Sequence, residues 1–171
     1  VIMFAAANEG TDGDGDGEID LDSMGSPATA KNVISIGASE NLRSNATGSW
    51  PAWASNNISG MATFSSRGPT DDNRLKPDFS APGTNILSTK SRYSGGSGDY
   101  QFMSGTSMAT PVSAGATALL LQHLIENVNH TNPSSPLFQG LLATSAVSLM
   151  VHCNDVTNGP VETYPTKHEY E

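Results

Sequence analysis

The stretch that decides the fold is Met103-Ser104-Gly105-Thr106-Ser107-Met108-Ala109-Thr110-Pro111, in which a loop is predicted to turn into a helix. Beyond it, small residues give way to leucines and isoleucine, so we predict a long, mostly buried helix over residues 106–128. A serine at the start of a helix lies beside free backbone N–H groups and the positive end of the helix dipole. Ser107 is therefore a candidate nucleophile, although the same local pattern also fits an ordinary serine or threonine N-cap.

Short apolar segments upstream of this helix predict the strands of an α/β fold. The continuous apolar runs Val1–Ala7 and Val33–Ala38 are typical of interior parallel strands. The other elements predicted are short strands at 61–65 and 85–89, turns at 81–83 and 93–99, and a second helix at 136–150. Together they predict a mostly parallel sheet flanked by helices, with the active site at the carboxyl edge of the sheet. Residues 151–171 lack an apolar pattern and are predicted to form an irregular tail.

Composition and charge argue against several classes of function. The net charge of −9 disfavours a nucleic-acid partner, which would select a basic surface. The longest apolar run, Ala118–Leu121, is far shorter than the ~20 residues that a membrane-spanning helix needs, so no membrane contact is expected. The single cysteine, Cys153, allows no internal disulfide bond.

Four motifs, in the same order along residues 1–150, resemble those of the subtilisin-like serine peptidases, the subtilases. They are Ala5-Ala6-Ala7-Asn8-Glu9-Gly10, Val33–Ala38, the run Phe64-Ser65-Ser66-Arg67-Gly68-Pro69 with Lys76-Pro77-Asp78 and Ala81-Pro82-Gly83 after it, and Gly105-Thr106-Ser107-Met108-Ala109-Thr110-Pro111. The larger bacterial alkaline serine proteases have a similar stretch before the nucleophile. The resemblance implies that residues 1–150 are the C-terminal portion of a subtilisin-like catalytic domain, incomplete at its N-terminal side.

The same resemblance implies a role for each matching residue. Ser107 would attack a peptide bond and form an acyl-enzyme, and Asn8 would donate its side-chain amide to the oxyanion beside the Ser107 N–H. The residues that would border the bound substrate are Ala6, Ala7, Gly105 and Thr106. Ala7 departs from the family, which usually has glycine before the oxyanion asparagine, and its methyl group would narrow the specificity pocket. The activity implied is that of a secreted serine endopeptidase that acts on proteins or peptides.

Two members of the subtilase triad are missing from this sequence. The triad runs Asp, then His, then Ser along the chain, and neither the D-T/S-G nor the H-G-T string of the first two occurs here. His123 lies 16 residues along the helix from Ser107, which places it ~24 Å away and out of hydrogen-bonding reach. We expect both residues upstream of Val1, so that this chain needs the upstream part of its own domain and is inactive alone. The alternative is a non-catalytic pseudopeptidase that keeps the scaffold for binding.

An acidic loop follows Asn8 and fits most of a calcium-binding template. Positions 1, 3, 5 and 9 of the template carry carboxylates, and position 7 would bind through its carbonyl; these residues are Asp12, Asp14, Asp16, Asp20 and Glu18. Ser23 occupies position 12 in place of the usual bidentate glutamate, which would weaken binding. We expect a structural Ca²⁺ ion here. The alternatives are a flexible acidic loop without metal and, for the whole chain, a calcium-dependent binding module.

Overall fold

The computed structural model describes residues 1–15, 19–43, 55–91, 93 and 98–147, and their fold is α/β with a parallel sheet flanked by helices. Three strands form this sheet in the order β1 (Met3–Ala5), β2 (Ile34–Ser39) and β3 (Phe79–Pro82), and both pairings are parallel. An antiparallel hairpin of β4 (Ile86–Thr89) and β5 (Tyr100–Met103) follows, and then come α1 (Thr106–Glu126) and α2 (Ser135–Ser145). The predicted fold class is confirmed.

The core of the molecule is built on β2, which lies at the centre of the sheet and is buried along its whole length. Its Ile34, Ile36 and Ala38 form one apolar cluster with residues that include Ala81 of β3 and Ala109 of α1. A continuous apolar strand is what the centre of a parallel sheet requires, because both of its faces are covered. The sequence prediction for β2 is therefore confirmed.

The predictions for two shorter segments were wrong. Residues 61–65 do not form a strand: Met61 makes an isolated bridge to Ser39, and the segment then turns, since the Ala62 carbonyl accepts the Ser65 N–H. Residues 81–83 were predicted as a turn, but Ala81 and Pro82 lie in β3 and pair with β2. Proline is tolerated at this position because it is the last residue of a strand at the edge of the described sheet.

α1 begins where the sequence predicts, but it is much less buried than predicted. Its buried residues are Thr106, Ala109, Thr117 and Leu124, and the helix packs against β1, β2 and β3. On its other sides Leu119 is 69% exposed and Val112 is 43% exposed. Within the described ranges, the sheet covers one side of α1, and apolar residues on its other sides stay exposed.

The length and composition of α1 also bear on membrane contact. Over an 18-residue window its mean hydropathy reaches 1.2, so it is the one helix among the described residues that could cross a bilayer by these criteria. Core helices of soluble proteins share both properties. The expectation of no membrane contact therefore stays a prediction.

α2 confirms the second predicted helix, with a slightly earlier start and an end at Ser145. Pro136 stands in its first turn, where a missing N–H removes no helical hydrogen bond. Phe138 is buried, and Leu142 packs against the core cluster. The tail predicted at 151–171 lies outside the described residues.

A hydrogen-bonded turn between Thr70 and Arg74 stabilises the loop that leads to β3. The Arg74 Nε–H donates to both carboxylate oxygens of Asp72, at 2.9 and 3.0 Å, and its Nη2 donates to the Thr29 carbonyl. The bond from Arg74, followed by the bond from the Thr70 hydroxyl, lowers the pKa of Asp72 from 3.8 to about 2.

We expect Asp72 to make the stability of the fold depend on pH in acid. Because its pKa is lower in the folded chain, the carboxylate stabilises the fold above about pH 4, and this contribution is lost as the pH falls to about 2. Asp72→Asn should therefore flatten the decrease in the urea midpoint between about pH 5 and pH 2. Asp71→Asn removes a neighbouring charge and leaves the Asp72–Arg74 pair in place. In this variant the urea midpoint should still fall between about pH 5 and pH 2. An unaltered pH dependence in Asp72→Asn would contradict this assignment.

Candidate active site

The site is centred on a contact between the end of β1 and the start of α1. The side chain of Asn8, which follows β1, accepts two hydrogen bonds on Oδ1 from Thr106: one from the backbone N–H and one from Oγ1–H, both at 2.9 Å. Gly105, at the N-cap, offers no side chain that could bond to the helix. Asn8 thus acts as a long-range cap that satisfies one of the free donors at the start of α1.

These two bonds determine how the Asn8 amide is oriented. A backbone N–H can only donate, so the atom that meets Thr106 is the oxygen, and Nδ2 must face the other way. A methyl group built on Gly105 would lie 3.5 Å from Nδ2, so the amide nitrogen lies alongside the backbone just before Ser107. Asn8 itself is exposed, and within the described ranges Nδ2 donates to no protein acceptor. The amide is therefore fixed in orientation and open to a ligand.

Ser107 is the second residue of α1, and its side chain is exposed. The Met108 and Ala109 N–H groups both donate to the Gly105 carbonyl, whereas the Ser107 N–H finds no acceptor in the part of the chain that is described. An exposed hydroxyl, a free N–H and the positive end of a helix dipole thus meet at one residue. This combination suits a nucleophile whose reaction develops negative charge on oxygen.

Gly83 and Gly105 hold the start of α1 close to the end of β3. The Gly105 N–H donates to the Gly83 carbonyl at 2.8 Å, and Gly105 has φ 155° and ψ 159°, a conformation that residues with a side chain rarely adopt. A methyl group on Gly83 would lie 2.8 Å from the Gly105 carbonyl oxygen and 2.6 Å from Cβ of Ala38. The junction is therefore closely packed, and the position of Ser107 is set by the sheet.

A buried polar network supports the loop on the other side of the nucleophile. The Asn85 N–H donates to Oγ of Ser104 at 2.8 Å, and Asn85 Nδ2 donates to Oγ of Ser55 at 2.9 Å. The Ser55 hydroxyl in turn donates to Oγ1 of Thr84, and Ser55, Thr84 and Asn85 are at most 1% exposed. Buried networks of this kind are rigid when satisfied, so they fix the backbone from which Ser107 projects.

The residues expected to border the substrate lie beside Asn8 and Ser107. Ala6 is fully buried, and Ala7 is partly exposed with φ 87°, a left-handed conformation that costs an alanine roughly 1–2 kcal/mol. Gly25 approaches from the loop before β2: its N–H donates to the Ala6 carbonyl, and a methyl group on it would lie 2.7 Å from Cβ of Ala7. The extra methyl group of Ala7 therefore occupies space next to Gly25. That it narrows the specificity pocket stays a prediction.

The described histidines are far from the nucleophile along the chain. His123 is in the last turn of α1, ~24 Å from Ser107 at the helical rise, and His130 follows the end of the helix. His152 and His168 lie outside the described residues. The described part of the chain thus presents a candidate nucleophile and a candidate oxyanion donor, and neither of its histidines is in reach as a base.

The acidic loop is only partly described. Asp12 Oδ1 accepts the Gly15 N–H and Asp20 Oδ2 accepts the Gly13 N–H, at 2.8 and 2.9 Å, so both carboxylates turn into the loop. Among residues 1–15, 19–43, 55–91, 93 and 98–147, no three carboxylate, histidine or cysteine side chains form a group that could hold a metal ion. Asp16 and Glu18 lie outside these ranges, and the calcium site stays a prediction.

Comparison with known families identifies the class of protein. Residues 1–166 match the Subtilase family, peptidase family S8, so the chain belongs to the subtilases, a family of serine peptidases. The family resemblance that the motifs indicate is confirmed.

Individual relatives show how much of a subtilase this chain represents. Serine protease AprX of Bacillus subtilis is 40% identical over 131 residues, which cover 71% of this chain and 26% of AprX. Pyrolysin of Pyrococcus furiosus is 38% identical over 135 residues, which cover 71% of this chain and 9% of pyrolysin. Among solved structures, the CspB protease of Clostridium perfringens superposes with a TM-score of 0.56 at 28% identity, covering 82% of this chain and 26% of that chain. The chain spans about a quarter of the length of AprX.

Proposed function

We propose that this chain is the nucleophile-bearing part of a secreted serine endopeptidase that cleaves proteins or peptides. Ser107 attacks the scissile carbonyl and forms an acyl-enzyme, while Asn8 Nδ2 and the Ser107 N–H stabilise the oxyanion. The observation that carries this proposal is the pair of bonds from Thr106 to Asn8 Oδ1, which aims the amide donor alongside Ser107. Preorganised donors of this kind are typically the largest single contribution to acyl-transfer catalysis. Secretion rests on the family resemblance.

The aspartate and histidine of the triad would come from an upstream part of the same domain. Uncovered apolar surface supports this: Leu119 on α1 is 69% exposed, and Ile2 and Phe4 at β1 are 59% and 36% exposed. β1 is an edge of the described sheet and has room for another parallel strand. Segments that cover α1 and pair with β1 would bury this surface and bring a base to Ser107. The chain alone would then have no activity, because a serine without its base is a weak nucleophile.

Labelling with a fluorophosphonate probe tests the proposal. The probe is applied to this chain and to an extended polypeptide, which is this chain preceded by the upstream residues of its own protein. We expect only the extended polypeptide to be labelled, and the label to be on Ser107. Ser107→Ala should abolish labelling. Ser113→Ala is the control, since Ser113 lies on the same helix six residues further on. Labelling at another residue, or strong labelling of this chain alone, would contradict the proposal.

The other candidate function is that of a pseudopeptidase, which keeps the scaffold as a binding module. It is favoured by the lack of a base near Ser107 among the described residues. A folded extended polypeptide that resists the probe would establish it. The intact Asn8–Thr106 contact favours the enzyme, because a binding module has no need for an oriented oxyanion donor.

A structural calcium ion in the loop after Asn8 is a second part of the proposal. Asp12, Asp14, Asp16 and Asp20 would supply carboxylate oxygens and Glu18 its backbone carbonyl, and oxygen ligands at such spacing suit Ca²⁺. The loop is closed at its base by the Asp20 N–H, which donates to the Thr11 carbonyl at 2.7 Å, so the two arms of the loop are already together. The bound ion would neutralise carboxylates that otherwise repel one another.

We expect millimolar Ca²⁺ to raise the melting temperature of this chain by a few degrees, in line with a weak site lacking its bidentate glutamate. Mg²⁺ at the same concentration should have little effect, because it demands octahedral geometry and gives up its water reluctantly. Asp14→Asn should remove most of the shift, and Asp99→Asn, outside the loop, should retain it. An absence of heat on titration calorimetry with Ca²⁺ would rule the site out.

A further inference from the structure

We infer that Ser66 is a positioning residue for Asn8, which rests on the proposed role of Asn8 in the oxyanion hole. Ser66 directly follows the turn at residues 62–65, and it is fully buried. Its backbone N–H donates to the Ala7 carbonyl at 3.0 Å, and its Oγ accepts the Glu9 N–H at 3.0 Å. One residue thus binds the backbone on both sides of Asn8.

The two bonds fix Asn8 where its own backbone is not held by a strand. β1 ends at Ala5, and Ala7 adopts a left-handed conformation that is unfavourable for alanine. Such a conformation persists when surrounding contacts determine it. Ser66 makes one hydrogen bond to each of the two peptide units that flank Asn8. Without them the segment could relax, and the Asn8 side chain would turn away from Thr106.

The neighbouring turn strengthens this support. The Gly10 N–H donates to the Phe64 carbonyl at 3.0 Å, and a methyl group on Gly10 would lie 2.4 Å from the Thr63 carbonyl oxygen. The backbone at Gly10 therefore lies directly against residues 63–66, whereas the peptide units on either side of Asn8 depend on the bonds from Ser66. The hydroxyl of Ser66 is the side-chain contribution to this contact, so it can be removed without altering the backbone.

Ser65 provides a matched control. It is also fully buried, and its Oγ also accepts one backbone N–H at 3.0 Å, but the donor is Ala38 in β2 rather than Glu9. Ser65→Ala and Ser66→Ala therefore remove the same group from adjacent buried positions. We expect both to lower thermal stability to a similar degree, and Ser66→Ala alone to affect Asn8.

The kinetic test uses the extended polypeptide and a chromogenic peptide substrate. We expect Ser66→Ala to lower kcat about tenfold with KM unchanged, since a small displacement of a catalytic donor has a large effect on the transition state. In the Asn8→Ala background the same change should lower kcat less than about twofold, because Ser66 acts through Asn8. An equal loss in both backgrounds, or a loss in Ser65→Ala as large as in Ser66→Ala, would overturn the inference.

A second readout does not depend on catalysis. Hydrogen exchange of the Thr106 N–H, which is bonded to Asn8 Oδ1, can be followed by NMR in the Ser107→Ala background. Ser66→Ala should accelerate this exchange relative to Ser65→Ala, and an identical rate in the two variants would refute the role of Ser66. If Asn8→Ala leaves kcat unchanged, the oxyanion role of Asn8 fails, and the exchange rate still decides whether Ser66 positions Asn8. Should Ser66→Ala fail to fold, Ser66→Cys, which retains a weak acceptor, takes its place.

Discussion

Replacement of Asn8 by alanine in the extended polypeptide should lower kcat by about 10²–10³-fold, the range known for removal of one oxyanion donor from subtilisin. The reason lies in the geometry: Oδ1 is held by Thr106, so Nδ2 faces away from Thr106 and lies beside Gly105. KM should change little, because the donor acts on charge that develops in the transition state. Steady-state kinetics with a peptide nitroanilide measures both quantities.

Asn8→Asp serves as the matched variant for this prediction. Its carboxylate can still accept the two bonds from Thr106, but it cannot donate to an oxyanion. We expect it to retain the fold and to lose as much kcat as alanine does. If aspartate were as active as asparagine at neutral pH, orientation at the helix start rather than donation would be the role of residue 8.

Removal of the Lys76 ammonium should destabilise the fold by about 1.5–3 kcal/mol, because it removes a charge-assisted hydrogen bond from a partly buried carboxylate. Lys76 Nζ lies 2.6 Å from Asp78 Oδ2 and 3.1 Å from the Val33 carbonyl, and the lysine side chain is only 4% exposed. Asp78 Oδ2 also accepts the N–H and the hydroxyl of Ser35. The pair therefore joins the loop before β3 to the start of β2.

Lys76→Met keeps the length and most of the volume of the side chain. Urea denaturation of this chain measures the decrease in the free energy of unfolding. Lys31→Met is the control, since Lys31 forms an ion pair with Asp72 at 3.8 Å while its side chain is 73% exposed. Exposed pairs of this kind are worth at most about 1 kcal/mol. Equal effects of the two substitutions would show that burial of the Lys76–Asp78 pair has no influence on stability.

The places of Ser107 at the start of α1 and of Asn8 after β1 could be predicted, because each residue lies in a short, contiguous motif. The helix start, the strand before Asn8 and the buried β2 all leave local patterns of small or apolar residues. β3 was missed because Ala81-Pro82-Gly83 contains two residues that usually mark turns, and only pairing with β2 makes them a strand. The burial of α1 was overestimated, because apolar composition does not tell which neighbours are present to cover a helix.

The role of Ser66 could not be read from the sequence at all. Its bond to Glu9 joins residues 57 positions apart, and nothing in the Phe64-Ser65-Ser66 run distinguishes the two serines. Only the tertiary structure shows that Ser65 faces the sheet while Ser66 faces the segment around Asn8. In the same way, the capping of α1 by Asn8 rather than by a nearby side chain depends on how β1 and α1 meet.

The contact between Asn8 and Thr106 spans 98 residues, and this separation has a consequence for folding. Contacts between distant parts of a chain form late, because the entropy of closing a long loop must be overcome first. We therefore expect Asn8 to meet the start of α1 only when the sheet has brought β1 and α1 together. An unfolded or half-folded chain would hold Ser107 without Asn8, so in the proposed enzyme activity would arise only with the complete fold.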